Sequence, residues 1–166
     1  MENEGIVKLS VTSWSFPQCS FKEAVGISSL LNINAIDISY FYRSALDKEL
    51  LLQDHKKIVD QINKYEIDYA NLYHLFGNSL EDRNLADTNN LKDNVTDLTK
   101  VTDFCVDANI PSIFVLPGMI NNGQSRKEAL KNSIESLKTL NDITSKKNIQ
   151  LEKIWQKTLN ILRHIC

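Results

Sequence analysis

Short apolar runs alternate along the chain with longer stretches in which apolar residues recur every three or four positions, the pattern of strands followed by amphipathic helices. The first run, Ile6 to Val11, predicts a strand, and Trp14-Ser15-Phe16-Pro17 follows it as a loop because proline cannot continue a ladder. Ser20 and Glu23 form a capping box, after which Phe21, Ala24, Val25, Ile27, Leu30 and Leu31 recur at helical spacing. Ala35 to Tyr40 alternates Ile36 and Ile38 with polar neighbours as a second strand, and Asp47 to Lys64 carries Leu50, Leu51, Ile58 and Ile62 on a helical stripe. Asp68 to Leu75 predicts a third strand, Gly77 to Asn90 a long polar loop, and Leu91, Val95, Leu98 and Cys105 one face of a third helix. Pro111 introduces a buried strand, Ser112 to Leu116, that stops at Pro117-Gly118. Ser125 and Glu128 form a second capping box, opening a helix that turns Leu130, Ile134, Leu137, Leu140 and Ile143 toward a core, and Ile149 to Leu151 predicts a fifth short strand.

Strand and helix thus alternate four times with connections too long for hairpins, which implies an α/β protein with a parallel sheet. Two architectures remain open on these patterns: a doubly wound sheet, and a portion of a (β/α)8 barrel. A chain of 166 residues suits the first, since a complete barrel takes about 250. The same length, with 42% hydrophobic and 24% charged residues, is enough for one domain with one core. A net charge of -2 gives no positive field, so no nucleic acid partner is expected. The acidic start, MENEG, and the lack of a long apolar run lead to the expectation of a cytoplasmic protein with no membrane partner. Cys19, Cys105 and Cys166 are odd in number and widely spaced, which indicates neither a disulfide framework nor a structural zinc site. Gly77, Gly118 and Gly123 lack both phosphate-cradle spacings, so nucleotide binding is not expected.

The stretch SRKEALKNSIESLKTLNDITSKKNIQLE resembles the fourth helix and fifth strand of the sugar phosphate isomerase/epimerase family, of xylose isomerase-like TIM-barrel type. LSVTSWSF, AIDISYF, NLYHLFGN and SIFVLPG resemble its first four strands in the correct order. The resemblance implies a partial (β/α)8 barrel: residues 1–152 form the N-terminal part, with about four βα units and a possible fifth strand, and residues 153–166 an unmatched helical tail. It also implies a barrel enzyme that holds a divalent metal (Mn, Mg, Co or Zn) against the oxygens of a sugar or sugar phosphate while carboxylates move a proton through an enediolate. In the family those groups come mainly from strands five to eight, so this chain is expected not to bind the metal and to be inactive alone. Its departure from the family after Glu152 carries the further expectation of a truncated or frame-shifted product.

Glu152 is the one candidate for both catalysis and metal binding, two residues before Ile154, where the family's fifth-strand glutamate falls; such a displacement keeps its facing. His74, at the end of strand three, is a candidate donor to a sugar oxygen, against a plain hydrogen-bonded loop role. Trp14 and Phe16 are candidates for an apolar wall against the sugar ring, against ordinary packing, and Arg43 for a substrate phosphate, against an exposed loop position. Asp37, alternating with Ile36 and Ile38, is expected in a polar layer at the barrel centre. The alternative function is a non-catalytic half-barrel that self-associates through its open sheet edges and binds a partner or small ligand.

Overall fold

The computed structural model describes residues 9–39 and 46–152. Five strands, β1 (Val11–Thr12), β2 (Ala35–Ser39), β3 (Asp68–His74), β4 (Ser112–Val115) and β5 (Gln150–Glu152), form one parallel sheet in the order β1-β2-β3-β4-β5. Between them run α1 (Phe21–Leu30), α2 (Lys48–Ile62), α3 (Leu91–Asp107) and α4 (Arg126–Ser145). The sequential order decides between the two architectures. A doubly wound sheet reverses direction at a switch point, whereas here each right-handed crossover moves the chain one strand along, so all four helices lie on one face, as in a barrel. None of the described helices is long and apolar enough to cross a membrane.

The core lies between sheet and helices. Ile38, Leu72, Ile113 and Leu151 share one level of the register across β2 to β5 and point to the helix side, where they meet Leu51, Ile58 and Ile62 of α2 and Leu98, Val101 and Phe104 of α3. The Ser20–Glu23 capping box forms as expected, the Ser20 hydroxyl accepting from the Glu23 N–H while Glu23 takes the Ser20 N–H; at the second expected box Ser125 is the N-cap and its hydroxyl accepts from the Glu128 N–H.

Several boundaries and faces differ from the sequence expectation. Among the described residues pairing on β1 begins at Val11, with Leu9 67% exposed; the expected start of the strand at Ile6 lies outside the described residues. In α1, Leu30 and Leu31 point to solvent at the helix's end, because Ala24, Val25 and Ser28 supply the buried face. Helix α2 is broken at Asp54, whose extended backbone (φ -152°, ψ 77°) separates two helical segments. The face of α4 is rotated: Ala129, Ser133, Ser136, Leu140 and Thr144 are buried, with Leu137 and Ile143 only flanking. Small side chains there let the helix approach closely, and the Ser136 hydroxyl reaches the Leu85 carbonyl at 3.0 Å.

The largest departure is the β3–α3 connection, which is not a loose polar loop. It buries Asn84, Leu85 and Ala86. Asn84 donates to the Glu81 carbonyl and to Asn121, and its Oδ1 accepts from the N–H groups of Ala86 and Met119. Gln124 and Asn132 both donate to the Ala86 carbonyl. Arg83 pairs with Asp97 at 2.8 Å and exchanges hydrogen bonds with Asn94. Gly118, at φ +103°, lies so close that a Cβ would stand 2.7 Å from the Ala86 nitrogen.

Candidate functional site

Because side chains alternate along a strand, the residues between the core positions face away from the helices. They form two rows. In the lower row Thr12, Asp37 and Asn71 are register partners, the Ser112 hydroxyl bonds to Asn71 at 3.0 Å, and Ser112 lies beside Gln150. In the upper row Ser39, Tyr73, Phe114 and Glu152 are successive partners across β2 to β5. Trp14, in the 3-10 turn Ser13–Ser15 after β1, brings its ring to 5.8 Å from that of Tyr73, and Tyr73 lies 4.8 Å from Phe114. The Ser13 hydroxyl accepts the Ser39 N–H at 2.9 Å, which fixes the turn against β2.

The face therefore offers an aromatic wall with polar groups below and beside it. Burial raises the Asp37 carboxyl above its ordinary range; the Ser10 hydroxyl, 3.0 Å away, opposes this and the Glu152 charge reinforces it. The Tyr73 phenol is raised by burial and then by Asp37 and Glu152, so it stays protonated at neutral pH as a donor near two carboxylates. Such a surface suits a polyhydroxylated ligand: ring C–H groups pack on aromatic faces while carboxylates accept hydroxyls.

Of the candidate residues, Trp14 lies on this face against Tyr73 and Glu152 lies on it opposite Phe114, with Asp37 on the same side of β2. Phe16 is half-buried directly after the 3-10 turn. His74 is elsewhere: it follows Tyr73 and so shares the parity of Leu72, toward the helices. It is 3% exposed, edge-on to Phe76 at 4.5 Å between ring centroids, and burial, with Lys48 and Arg83 adding, holds its pKa well below the ordinary histidine value. Arg43, with Tyr40 and Tyr42, and the tail from Lys153 lie outside the described residues. Tyr73 and Phe114 escaped the sequence reading, although strict alternation with Leu72 and Ile113 carried the signal.

Among the described residues a divalent metal does not find its ligand set. A catalytic zinc takes three protein ligands, and among the described residues no group of three or more His, Cys, Asp or Glu is placed to hold a metal. Glu152 is at most one ligand of such a site.

No protein-family model matches the sequence, and no curated protein is similar enough to count as a relative. Solved structures do match. A D-tagatose 3-epimerase-like protein superposes with a TM-score of 0.64 at 19% identity, over 87% of this chain and 51% of its own. The IOLI protein, whose structure holds a zinc atom, gives 0.64 at 15%, over 87% and 50%. D-psicose 3-epimerase from Clostridium cellulolyticum H10, with D-tagatose, gives 0.63 at 12%, over 87% and 51%. The chain thus has the fold of the xylose isomerase-like sugar isomerase and epimerase barrels and spans about half their length.

Proposed function

We propose that this chain is the N-terminal half of a metal-dependent sugar or sugar phosphate isomerase/epimerase barrel, supplying one wall of the sugar site but not the metal-holding set. Residues 1–152 form that half and 153–166 a tail outside the barrel pattern. The reading rests on one observation above all: Glu152, at the end of β5, stands in one row with Phe114 and Tyr73, on the face that also carries Asp37 and, against Tyr73, Trp14. Barrel enzymes carry their chemistry at the C-terminal ends of their strands, and the family resemblance puts a glutamate close to this point of strand five. Enediolate chemistry needs a Lewis acid and a base in one place, and a single carboxylate at the strand end does not supply both. The chain by itself therefore binds sugars weakly and does not convert them.

The test is an assay of the purified chain with Mn, Mg, Co or Zn ions against D-fructose, D-tagatose, D-psicose and their phosphate esters, following the sugar products by chromatography. No metal-dependent conversion is expected. Conversion that disappears in Glu152→Gln would overturn the inactive-half reading.

A second reading, a half-barrel that pairs with another copy, draws on the sheet edges. Among the described residues β1 and β5 are the outer strands, and the exposed Leu9, Leu30 and Leu31 belong to the first βα unit. Light scattering distinguishes the two: a discrete dimer supports pairing, a monomer opposes it.

A further inference from the structure

A cleft of about 210 Å³ opens at the C-terminal ends of β3 and β4, beneath the β3–α3 connection. Phe76, Leu80, Leu85, Leu116 and Met119 give it apolar walls, and His74 forms part of its lining. It lies on the helix side of the sheet and is separate from the row of Tyr73, Phe114 and Glu152. We propose that this cleft is a second binding site, one for a small uncharged ligand with an apolar ring and a single hydroxyl.

The absence of net charge follows from the surroundings. Arg83 is paired with Asp97 at 2.8 Å, and Lys48, held by the carbonyls of Leu75 and Gly77, has the opposite charges of Asp97 and Asp82 near it, so the two cations are offset by two carboxylates around the cleft. A charge among these walls would lose its water without a counter-ion. Asn84 also lines the cleft, but all its amide hydrogen-bonding is internal to the protein, so it fixes the shape of the site rather than binding the ligand. Asp82, exposed at the rim, accepts the Asn78 N–H on Oδ2, which leaves its other oxygen to accept the ligand's hydroxyl and makes the entrance hostile to anions. The polar link is thus a hydroxyl at the mouth, with the ring inside.

The test is a titration of the whole chain with benzyl alcohol, benzoate and D-fructose, followed by ¹H–¹⁵N amide shifts. Benzyl alcohol should saturate with a Kd on the order of 1 mM and move the Leu75, Leu85 and Gly118 amides, while benzoate binds at least about tenfold more weakly. Leu80→Trp, which fills the cleft from the connection, should abolish the benzyl alcohol shifts; Asp82→Asn, at the exposed rim, should bring benzoate to within a few fold of the alcohol. Unsaturable shifts, equal binding of benzoate to the native chain, or shifts confined to Tyr73 and Phe114 would each overturn the proposal. So would D-fructose competing for the cleft, since it would make this part of the sugar face.

Discussion

His74 shows how the meaning of a residue depends on which way its strand faces it. At the end of β3 it would meet substrate if it shared the parity of Tyr73, but it follows the core residue Leu72 and is buried neutral. Its folded pKa lies below its unfolded value, so below about pH 6.5 the unfolded chain takes up a proton that the native chain refuses. Stability is therefore full above the unfolded pKa and falls as pH drops below it, by at most about 1.4 kcal/mol per pH unit for this one group. Denaturant titrations from pH 7 to pH 5 should show the loss, and His74→Gln should flatten it; an unchanged slope would mean that another group is responsible. Asn84 is the second residue on which much depends. Removing it in Asn84→Ala leaves the buried N–H of Ala86 without its acceptor and takes away that of the more exposed Met119 N–H, and should cost about 1–3 kcal/mol in urea unfolding. Asn84 was invisible in the sequence because an asparagine in a polar stretch reads as a turn residue, and only its partners from the β4–α4 connection, far along the chain, give it a structural role.

At the scale of elements, the order and kind of the five strands and four α-helices among the described residues could be read from apolar periodicity and the capping signals, because both are local, whereas the short 3-10 turns at Ser13–Ser15 and Thr88–Asn90 lie where loops were expected. Faces were less legible. The burial of Ser133, Ser136 and Thr144 in α4 in preference to Leu130 and Ile134 is set by how closely the helix approaches the β3–α3 connection, a distance that periodicity does not encode. The break at Asp54 likewise lies within a stretch whose apolar stripe continues across it. The same close approach makes Gly118 critical: its backbone is at φ +103°, and a side chain would meet the Ala86 and Leu85 nitrogens. Gly118→Ala should destabilise by at least about 2 kcal/mol, whereas Gly123→Ala, also at positive φ but with open space around it, should cost only about 1 kcal/mol. Thermal melts of the two variants give the comparison, and equal losses would show that crowding against the connection is not the cause.

At the scale of the whole molecule, periodicity left the doubly wound sheet and the barrel portion open; family resemblance pointed to the barrel, and the sequential strand order agrees with it. The candidate site was partly legible. Asp37 and Glu152 lie on one face, the facing that alternation gave each of them, and Trp14 reaches that face from the turn after β1, while Tyr73 and Phe114 join them by the same alternation across β3 and β4. The same arrangement underlies the functional account: an aromatic and acidic wall, and too few donors for a metal among the described residues. Manganese binding tests that account most directly, because it asks about the ligand set without requiring the right sugar. In a titration of the chain followed by the electron paramagnetic resonance of free Mn²⁺, the account predicts that equimolar protein leaves the free-ion signal essentially undiminished. Stoichiometric loss of that signal, restored in Glu152→Gln, would contradict it and show that this chain completes a metal site of its own.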